Sequence, residues 1–226
     1  MRVAICAATE REILPFIQLL LGQKKSNYEN ATKYGSIEIF ILITGVGSVA
    51  TAVKCTKLIH SQDIDLTINA GIAGSFNREL NIGDTCMVVR DRFGDLGTSH
   101  ADGTFSDIYD MGLEDANNVP FQDGWLRPSP SQYIPNRWLE VSGVTVNKVT
   151  GHAQAIEEIS NKYQADIESM EGAGFFYATM LAGVDALQLR TISNYVTPRD
   201  KNLWNIPLAI ENLNKELIQI IDELAR

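Results

Sequence analysis

Cysteine and histidine are scarce in this chain, which has three of each among its 226 residues. Widely spaced cysteines in an odd number provide neither a disulfide framework nor a CxxC redox or metal motif. The histidines do not cluster either, so we expect no metal site. Free thiols are typical of a reducing compartment, and we therefore expect a cytoplasmic protein. The six residues are Cys6, Cys55, Cys86, His60, His100 and His152.

The chain also lacks an excess of basic residues and a long apolar run. It has 19 lysines and arginines against 28 aspartates and glutamates, and its formal net charge is −9. Because such a surface repels a phosphate backbone on average, we expect no nucleic-acid partner. No segment approaches the roughly 18 apolar residues of a membrane span. The N-terminal segment MRVAICAATERE predicts a strand rather than a signal peptide, so no membrane partner is expected.

What the chain does have is an alternation of strand-like and helix-like segments, with 45% hydrophobic residues for a core. Apolar runs predict strands at 3–7, 36–44, 64–70, 85–90, 143–146 and 186–192. Apolar residues at helical spacing predict helices at 49–60, 153–163, 170–181 and 210–224. This order is typical of an α/β protein with a largely parallel or mixed sheet. Since no linker interrupts it, we predict a single domain over 1–226.

The pattern fades between residues 91 and 141, where glycine, proline, aspartate and asparagine are mixed with scattered aromatics. Such a long irregular segment in a compact domain is usually functional or an interface. The alternative is a flexible insertion. The aromatic residues favour the interpretation that parts of the segment pack.

One carboxylate, Glu171, stands at the start of the apolar helix predicted at 170–181. Gly183 is predicted to end this helix, because glycine accepts the left-handed conformation past a helix end. Burial of a carboxylate is unfavourable unless it is hydrogen-bonded. Two interpretations remain open: Glu171 caps its own helix at the positive end of the dipole, or it has a functional role. The strand at 186–192 then leads to a polar pair, 193–194, which we predict as a turn.

Acidic residues follow the first predicted strand, where a dinucleotide-binding fold would have glycines. Thr9 and Glu12 match a capping box, but Pro15 would lie inside that helix, where proline is unfavourable. We therefore predict that the helix begins nearer Ile13. Glu10 and Glu12 would then lie on the loop at the carboxyl end of the strand, where open α/β sheets bind ligands.

Six motifs, in this order along the chain, resemble the purine nucleosidase and phosphorylase superfamily. They are AATEREI (7–13), TGVGSVAT (44–51), NAGIAGSF (69–76), GD (83–84), SMEGAG (169–174) and LRTISN (189–194). The resemblance implies a three-layer, nucleoside phosphorylase-like α/β fold, with a central mixed, largely parallel twisted sheet flanked by helices. It also implies a small-molecule nucleoside substrate, no cofactor, and a homo-oligomer.

Within the superfamily, three segments are most similar to the futalosine hydrolases. They are GIAG (71–74), DLG (95–97) and ISNYVTPRDKNLWNI (192–206). That family removes hypoxanthine from futalosine on an alternative route to menaquinone, and the resemblance implies the same reaction.

The resemblance implies a role for each matching residue of a reaction centre. Glu12 matches the acid that activates the attacking water, and Arg190 matches a residue near this water. Met170 and Glu171 match the pair that lines the ribose, whose hydroxyls donate to the carboxylate. Asn194 stands where adenine-specific nucleosidases have an aspartate.

Chemistry supports these roles. Cleavage of the N-glycosidic bond develops an oxocarbenium-like ribose, which a nearby carboxylate stabilises. The leaving 6-oxopurine presents two acceptors, N7 and O6, which would repel an aspartate but can accept from a neutral amide. We therefore predict that Asn194 selects hypoxanthine-like bases over adenine.

Other residues are predicted to bind the substrate. Lys148 and Val149 match the segment that lines the base, which in the family is usually aromatic at the position of Lys148. The GIAG segment, with Ile72, Ala73 and Gly74, is predicted as a turn that lets the substrate approach the backbone closely.

Arg199 and Trp204 are candidates to hold the aromatic carboxylate tail of futalosine, by ion pairing and stacking. The alternative is a structural pair at the last helix. Glu10 and Glu12 on the first loop disfavour phosphate as the nucleophile. A methylthioadenosine nucleosidase, an inosine phosphorylase and a catalytically silent purine-binding protein remain as alternatives.

Overall fold

Strands and helices alternate in the computed structural model, which describes residues 1–22, 31–135, 137–198 and 200–226. The strands are β1 (Arg2–Ala7), β2 (Thr32–Tyr34), β3 (Ile37–Ile43), β4 (Leu66–Ser75), β5 (Thr85–Phe93), β6 (Gly97–Ser99), β7 (Phe105–Asp107), β8 (Phe121–Gln122), β9 (Trp125–Leu126), β10 (Leu139–Thr145), β11 (Ile167–Ser169) and β12 (Asp185–Tyr195). The helices are α1 (Glu10–Leu21), α2 (Ser48–Ser61), α3 (Ala153–Tyr163), α4 (Gly172–Ala182) and α5 (Ile206–Leu224), with a 3₁₀ turn at Lys201–Leu203. The predicted α/β class is confirmed.

A mixed sheet of ten strands is the centre of the described part of the chain. Its order is β2-β3-β1-β4-β11-β10-β5-β9-β8, and β12 pairs with both β4 and β5. The strands β4, β12, β5, β10 and β11 therefore close into a ring. Closure leaves no free edge between these strands. The ends of β4, β11 and β12 are consequently fixed relative to one another.

Helices cover both faces of the sheet, as the alternate residues of β1 illustrate. Val3, Ile5 and Ala7 pack with α1 and α5 in one hydrophobic cluster, whereas Ala4 and Cys6 pack with α2 and α4 in another. All five are at most 1% exposed. A strand buried on both faces has a continuous apolar run, which explains the sequence of β1 and confirms the predicted arrangement of a mixed sheet flanked by helices.

Part of the segment between residues 91 and 141 is ordered by its aromatic residues. Phe121 contacts Phe93 and Tyr177 with ring centroids 6.4 and 5.8 Å apart. The guanidinium of Arg92 lies over the rings of Trp125 and Tyr163, at 5.2 and 4.2 Å from their centroids. These contacts agree with the expectation that the aromatics pack against the core.

Two segments that the sequence predicted as turns are strands in the structure. Residues 71–74 belong to β4, and residues 193–194 belong to β12. The predictions were wrong because β4 and β12 pair with each other along their whole length, and this pairing joins parts of the chain that are distant in sequence. Glycine and polar residues are tolerated here because the neighbouring strands supply the backbone hydrogen bonds.

The described strands of the sheet come from the whole length of the chain, so we propose that residues 1–226 form one domain. Among the described residues, no helix combines the length and the apolar character that crossing a lipid bilayer requires.

Candidate active site

A cavity of about 320 Å³ opens at the carboxyl ends of β1, β4, β11 and β12. Nine residues that the sequence predicted for the site line it: Glu12, Ile72, Ala73, Gly74, Val149, Met170, Glu171, Asn194 and Trp204. Arg190 lies behind the wall. Lys148 is exposed and is not among the lining residues. The prediction for Arg199 falls outside the described residues.

The carboxylate of Glu12 both caps α1 and reaches the cavity. Its Oε2 accepts hydrogen bonds from the backbone N–H and the hydroxyl of Thr9, both at 2.9 Å. Its Oε1 lies 3.4 Å from the backbone nitrogen of Ile72, on the facing strand. The capping interaction and the predicted place beside the substrate are therefore compatible.

Helix α1 begins at Glu10, so the predicted start nearer Ile13 was wrong. The backbone at Ile13 (φ −120°, ψ 18°) is nevertheless not helical. The cause is Pro15, which lacks an N–H and whose ring crowds the carbonyl four residues earlier. The turn that carries Glu12 is thus separated by a kink from the rest of α1.

Asn214 of α5 bridges this kink, a contact that the sequence did not predict. In a regular helix the N–H of Phe16 would donate to the carbonyl of Glu12, four residues earlier. Instead, the Asn214 side chain accepts from the N–H of Phe16 at 3.0 Å and donates to the carbonyl of Glu12 at 2.8 Å. Asn214 is 2% exposed. The broken hydrogen bond is thereby replaced, and the last helix fixes the turn of Glu12.

Glu171 directly precedes α4, but its side chain makes no hydrogen bond to that helix. Its Oε1 accepts from the backbone N–H of Gly47 at 3.1 Å, and its Oε2 lies 3.9 Å from Nη2 of Arg190. Burial raises the pKa of Glu171, whereas Arg190 and the N–H of Gly47 act in the opposite direction. The helix-capping interpretation was therefore wrong, and the carboxylate lies on the cavity wall.

Arg190 is 1% exposed and donates through Nη2 to Oδ1 of Asn69. A Cβ on Gly71 would lie 2.5 Å from Nη1 of Arg190 and 3.1 Å from Oε1 of Glu12. The missing side chain at position 71 therefore makes room for both groups. This is the structural reason for the first glycine of the GIAG segment, in place of the predicted turn.

Asn194 presents a neutral amide to the cavity. Its Oδ1 accepts from the hydroxyl of Ser193 at 2.8 Å, and its Nδ2 donates to the carbonyl of Tyr195 at 3.0 Å. Because an amide carries two N–H donors, one N–H remains for a ligand. Gly74 leaves space beside it, since a Cβ there would lie 3.2 Å from Nδ2 of Asn194.

The sequence did not assign several polar residues that line the cavity, among them Arg11, Thr150 and Glu168. Glu168 is 5% exposed and lies in β11. The sequence did contain one indication of Glu168, a carboxylate three residues before Glu171, in the short segment that forms a buried strand. Gly47 was also missed as a donor to Glu171, and its φ of 100° favours glycine.

This fold and this site place the chain in a known family. Residues 2–226 match the family model described as the phosphorylase superfamily, and the chain belongs to this superfamily. The predicted resemblance is thereby confirmed.

Relatives of two kinds match most of the chain. The futalosine hydrolase of Streptomyces coelicolor is 30% identical over 185 residues, covering 76% of this chain and 74% of its own. That of Acidothermus cellulolyticus is 32% identical over 181 residues, covering 76% and 71%. The 5′-methylthioadenosine/S-adenosylhomocysteine nucleosidase of Maridesulfovibrio salexigens is 28% identical and covers 87% of both chains. These relatives support a nucleosidase type of activity without distinguishing the substrate.

Solved structures have the same fold. A 5′-methylthioadenosine/S-adenosylhomocysteine nucleosidase from Colwellia psychrerythraea, in complex with adenine, has a TM-score of 0.81 at 17% identity, covering 99% of this chain and 96% of that one. The native futalosine hydrolase of Helicobacter pylori has a TM-score of 0.78 at 19% identity, covering 99% and 98%.

Proposed function

We propose that this protein hydrolyses the N-glycosidic bond of futalosine, releasing hypoxanthine and dehypoxanthine futalosine. The observation that carries the proposal is that two carboxylates, Glu12 and Glu171, line one cavity together with the amide of Asn194. Futalosine is proposed as the substrate because two of the relatives, at 30% and 32% identity, are futalosine hydrolases and because a neutral amide at position 194 suits a 6-oxopurine.

In the proposed reaction, a water molecule attacks C1′ of the ribose while the bond from C1′ to N9 of the purine breaks. Glu12 accepts a proton from the water as general base. The bonding electrons leave with the purine, and an N–H of Asn194 stabilises the negative charge at N7 and O6. The purine then takes a proton from solvent.

Glu171 and Met170 hold the ribose in this proposal. The carboxylate of Glu171 accepts from the ribose hydroxyls and stabilises the oxocarbenium-like transition state. This role requires the ionised form. Burial disfavours that form and raises the pKa of Glu171, whereas Arg190 and the N–H of Gly47 favour it. Arg190 therefore acts through Glu171 and through its place beside Glu12.

The charges around the cavity favour water over phosphate as the nucleophile. Among the described lining residues are three carboxylates, on Glu12, Glu168 and Glu171, and one guanidinium, on Arg11. Phosphate carries negative charge and is bound in proteins by arginine and lysine. We therefore propose hydrolysis rather than phosphorolysis.

The tail of futalosine extends, in this proposal, along the apolar side of the cavity formed by Trp204, Ile206 and Ile210. Arg11 is exposed at the same cavity and carries a charge that can pair with the carboxylate of the tail. The pairing predicted for Arg199 stays a prediction.

The test is the release of free purine from futalosine, inosine and methylthioadenosine in phosphate-free buffer. We expect hypoxanthine from futalosine and no stimulation when phosphate is added. Release of adenine from methylthioadenosine alone would contradict the substrate, and a requirement for phosphate would contradict hydrolysis.

Variants test the two carboxylates. Glu12→Gln and Glu171→Gln should each lower kcat/KM for purine release by at least about 100-fold, because each amide removes a charge that the reaction needs. Glu79→Gln changes an exposed carboxylate in the same way and serves as the control. Equal activity of all three variants would exclude the assigned roles.

A further inference from the structure

Glu168 is a carboxylate on the cavity wall that the reaction above does not use. It lies in β11 and pairs in register with Gly74 of β4, and Asn194 pairs with the same Gly74 from the other side. Both residues line the cavity. Neighbouring strands are about 4.8 Å apart, so the two Cα atoms are roughly 10 Å apart. The glycine between them has no side chain, and the methyl of Val196 and the amide of Asn194 lie over it, 2.9 and 3.2 Å from where a Cβ would be. Glu168 and Asn194 therefore face the same cavity from the two sides of Gly74.

The carboxylate of Glu168 is held by Thr150 alone among the described residues. Its Oε1 accepts from the backbone N–H of Thr150 at 2.9 Å, and its Oε2 accepts from the Thr150 hydroxyl. Burial raises the pKa of Glu168, whereas these two donors oppose the rise. None of the ion pairs among the described residues includes it. Each oxygen retains a further lone pair for a ligand.

An ionised acceptor at this position distinguishes the two common kinds of purine. A 6-oxopurine carries a hydrogen on N1, next to its 6-oxo group, whereas adenine has a lone pair on N1. Facing a carboxylate, that lone pair would be left without a donor in a buried site, which is unfavourable. The 6-amino group of adenine would also meet the N–H of Asn194, donor against donor.

We propose that Glu168 accepts the N1–H of a 6-oxopurine, while the remaining N–H of Asn194 is shared between N7 and the 6-oxo group of the same base. Glu168 is then a second residue that determines specificity. It recognises the N1–H donor of hypoxanthine, and Asn194 recognises the acceptors N7 and O6. The assignment rests on the proposed function, because that function puts a purine between them.

The test is the affinity of the protein for free hypoxanthine and free adenine, measured by calorimetry. The wild type should bind hypoxanthine at least about tenfold more tightly, since a site built for a ligand N–H rejects a base that lacks it. In Glu168→Gln the amide can accept from N1–H or donate to N1, so the preference should fall to about twofold or less. Glu157→Gln, an exposed carboxylate on α3, should keep the wild-type ratio.

A purely structural Glu168, which only holds the segment of Thr150, gives a different result. Both affinities would then fall together in Glu168→Gln, and the ratio would not change; this outcome overturns the proposal. If the variant does not fold, the wild type is tested with 1-methylhypoxanthine, which lacks the N1–H. We expect it to bind at least about tenfold more weakly than hypoxanthine, and equal binding overturns the proposal.

Futalosine turnover, measured in parallel, separates the two proposals. One outcome is that the wild type turns over futalosine and that Glu168→Gln keeps the wild-type ratio of affinities for hypoxanthine and adenine. This outcome overturns the role of Glu168 and leaves the proposed reaction intact. Absence of turnover, with a base preference that is present in the wild type and lost in the variant, supports the role of Glu168 and overturns the proposed reaction alone.

Discussion

At position 194 a neutral amide lines the cavity, with its Oδ1 already accepting the hydroxyl of Ser193. Asn194→Asp replaces the remaining N–H donor by a carboxylate, which must bind a proton before it can donate. We expect the preference for inosine-type over adenosine-type substrates to fall by at least about tenfold, which is one lost polar contact. The measurement is the ratio of kcat/KM for inosine and adenosine. Asn202→Asp, on the exposed 3₁₀ turn, is the control, and an unchanged ratio would mean that Asn194 does not select the base.

Asp91 illustrates a buried acid beside the site. Burial raises its pKa from 3.8 to about 6, while Gln188, Thr145 and the N–H of Arg92 donate to it and lower the pKa. Thr145 in turn accepts from the N–H of Ala173 in α4. Asp91 therefore supports the start of the helix that follows Glu171.

We predict a pH-dependent contribution of Asp91 to stability. Because its pKa in the folded state is above the ordinary value, the folded protein binds the proton more tightly, and the free energy of unfolding falls as the pH rises from about 4 to about 6. Asp91→Asn removes this contribution. In this variant the side-chain amide of Gln188 can rotate by 180°, so that its Oε1, which has no partner among the described atoms, accepts from the new N–H at position 91. The measurement is urea unfolding of both proteins at pH 4 and pH 7.

The stability of Asp91→Asn relative to the wild type should be higher at pH 7 than at pH 4, by on the order of 2 kcal/mol. Curves of stability against pH that run parallel for the two proteins would contradict the prediction.

At the scale of elements, the kink of α1 and its bridge from α5 place the proposed general base. Asn214→Leu leaves the N–H of Phe16 and the carbonyl of Glu12 without their partner. Each buried group of this kind costs about 1–3 kcal/mol, so the free energy of unfolding should fall by about 2–6 kcal/mol for the two groups together. Since the turn of Glu12 loses its support, kcat/KM for purine release should fall at least about tenfold.

The matched control for this variant is Asn212→Leu on the same helix. Asn212 donates to the carbonyl of Gly83 at 2.9 Å, and no hydrogen bond joins its side chain to α1 among the described residues. It should lose stability and keep most of its activity. The same loss of activity in both variants would show that Asn214 has no specific effect on Glu12.

At the scale of the whole molecule, α2 and α4 carry exposed apolar side chains on one side. Val49, Val53 and Leu181 are 74%, 63% and 56% exposed. The expectation of a homo-oligomer stays a prediction, and we expect light scattering to give a multiple of the chain mass of 25.0 kDa. Val53→Lys should lower that mass, because a buried lysine without a partner is unfavourable in an interface. Leu139→Lys, exposed elsewhere, is the control, and a wild type with the mass of one chain would contradict the prediction.

Local patterns were sufficient to predict the α/β class, because most of the long strands and helices have their own apolar period; the nucleoside phosphorylase-like fold came from the resemblance. They also drew attention to Glu12, which follows the first strand, and to Glu171, which precedes an apolar helix; the resemblance then implied their roles. The strand character of residues 71–74 and the contact of Asn214 depend on partners far away in sequence, and no local pattern contains them. The role inferred for Glu168 required the register of β11 against β4.

The amide that bridges the kink of α1 comes from a residue 198 positions after the N–H whose hydrogen bond it accepts. Proteins are synthesised from the N-terminus, so a contact between residues this distant in sequence forms only after the later residue has been synthesised. The kink beside Glu12 therefore lacks its two bridging hydrogen bonds until α5 has left the ribosome. A nascent chain that still lacks α5 should hold the proposed general base less firmly, so we expect full hydrolysis only when synthesis of the last helix is complete.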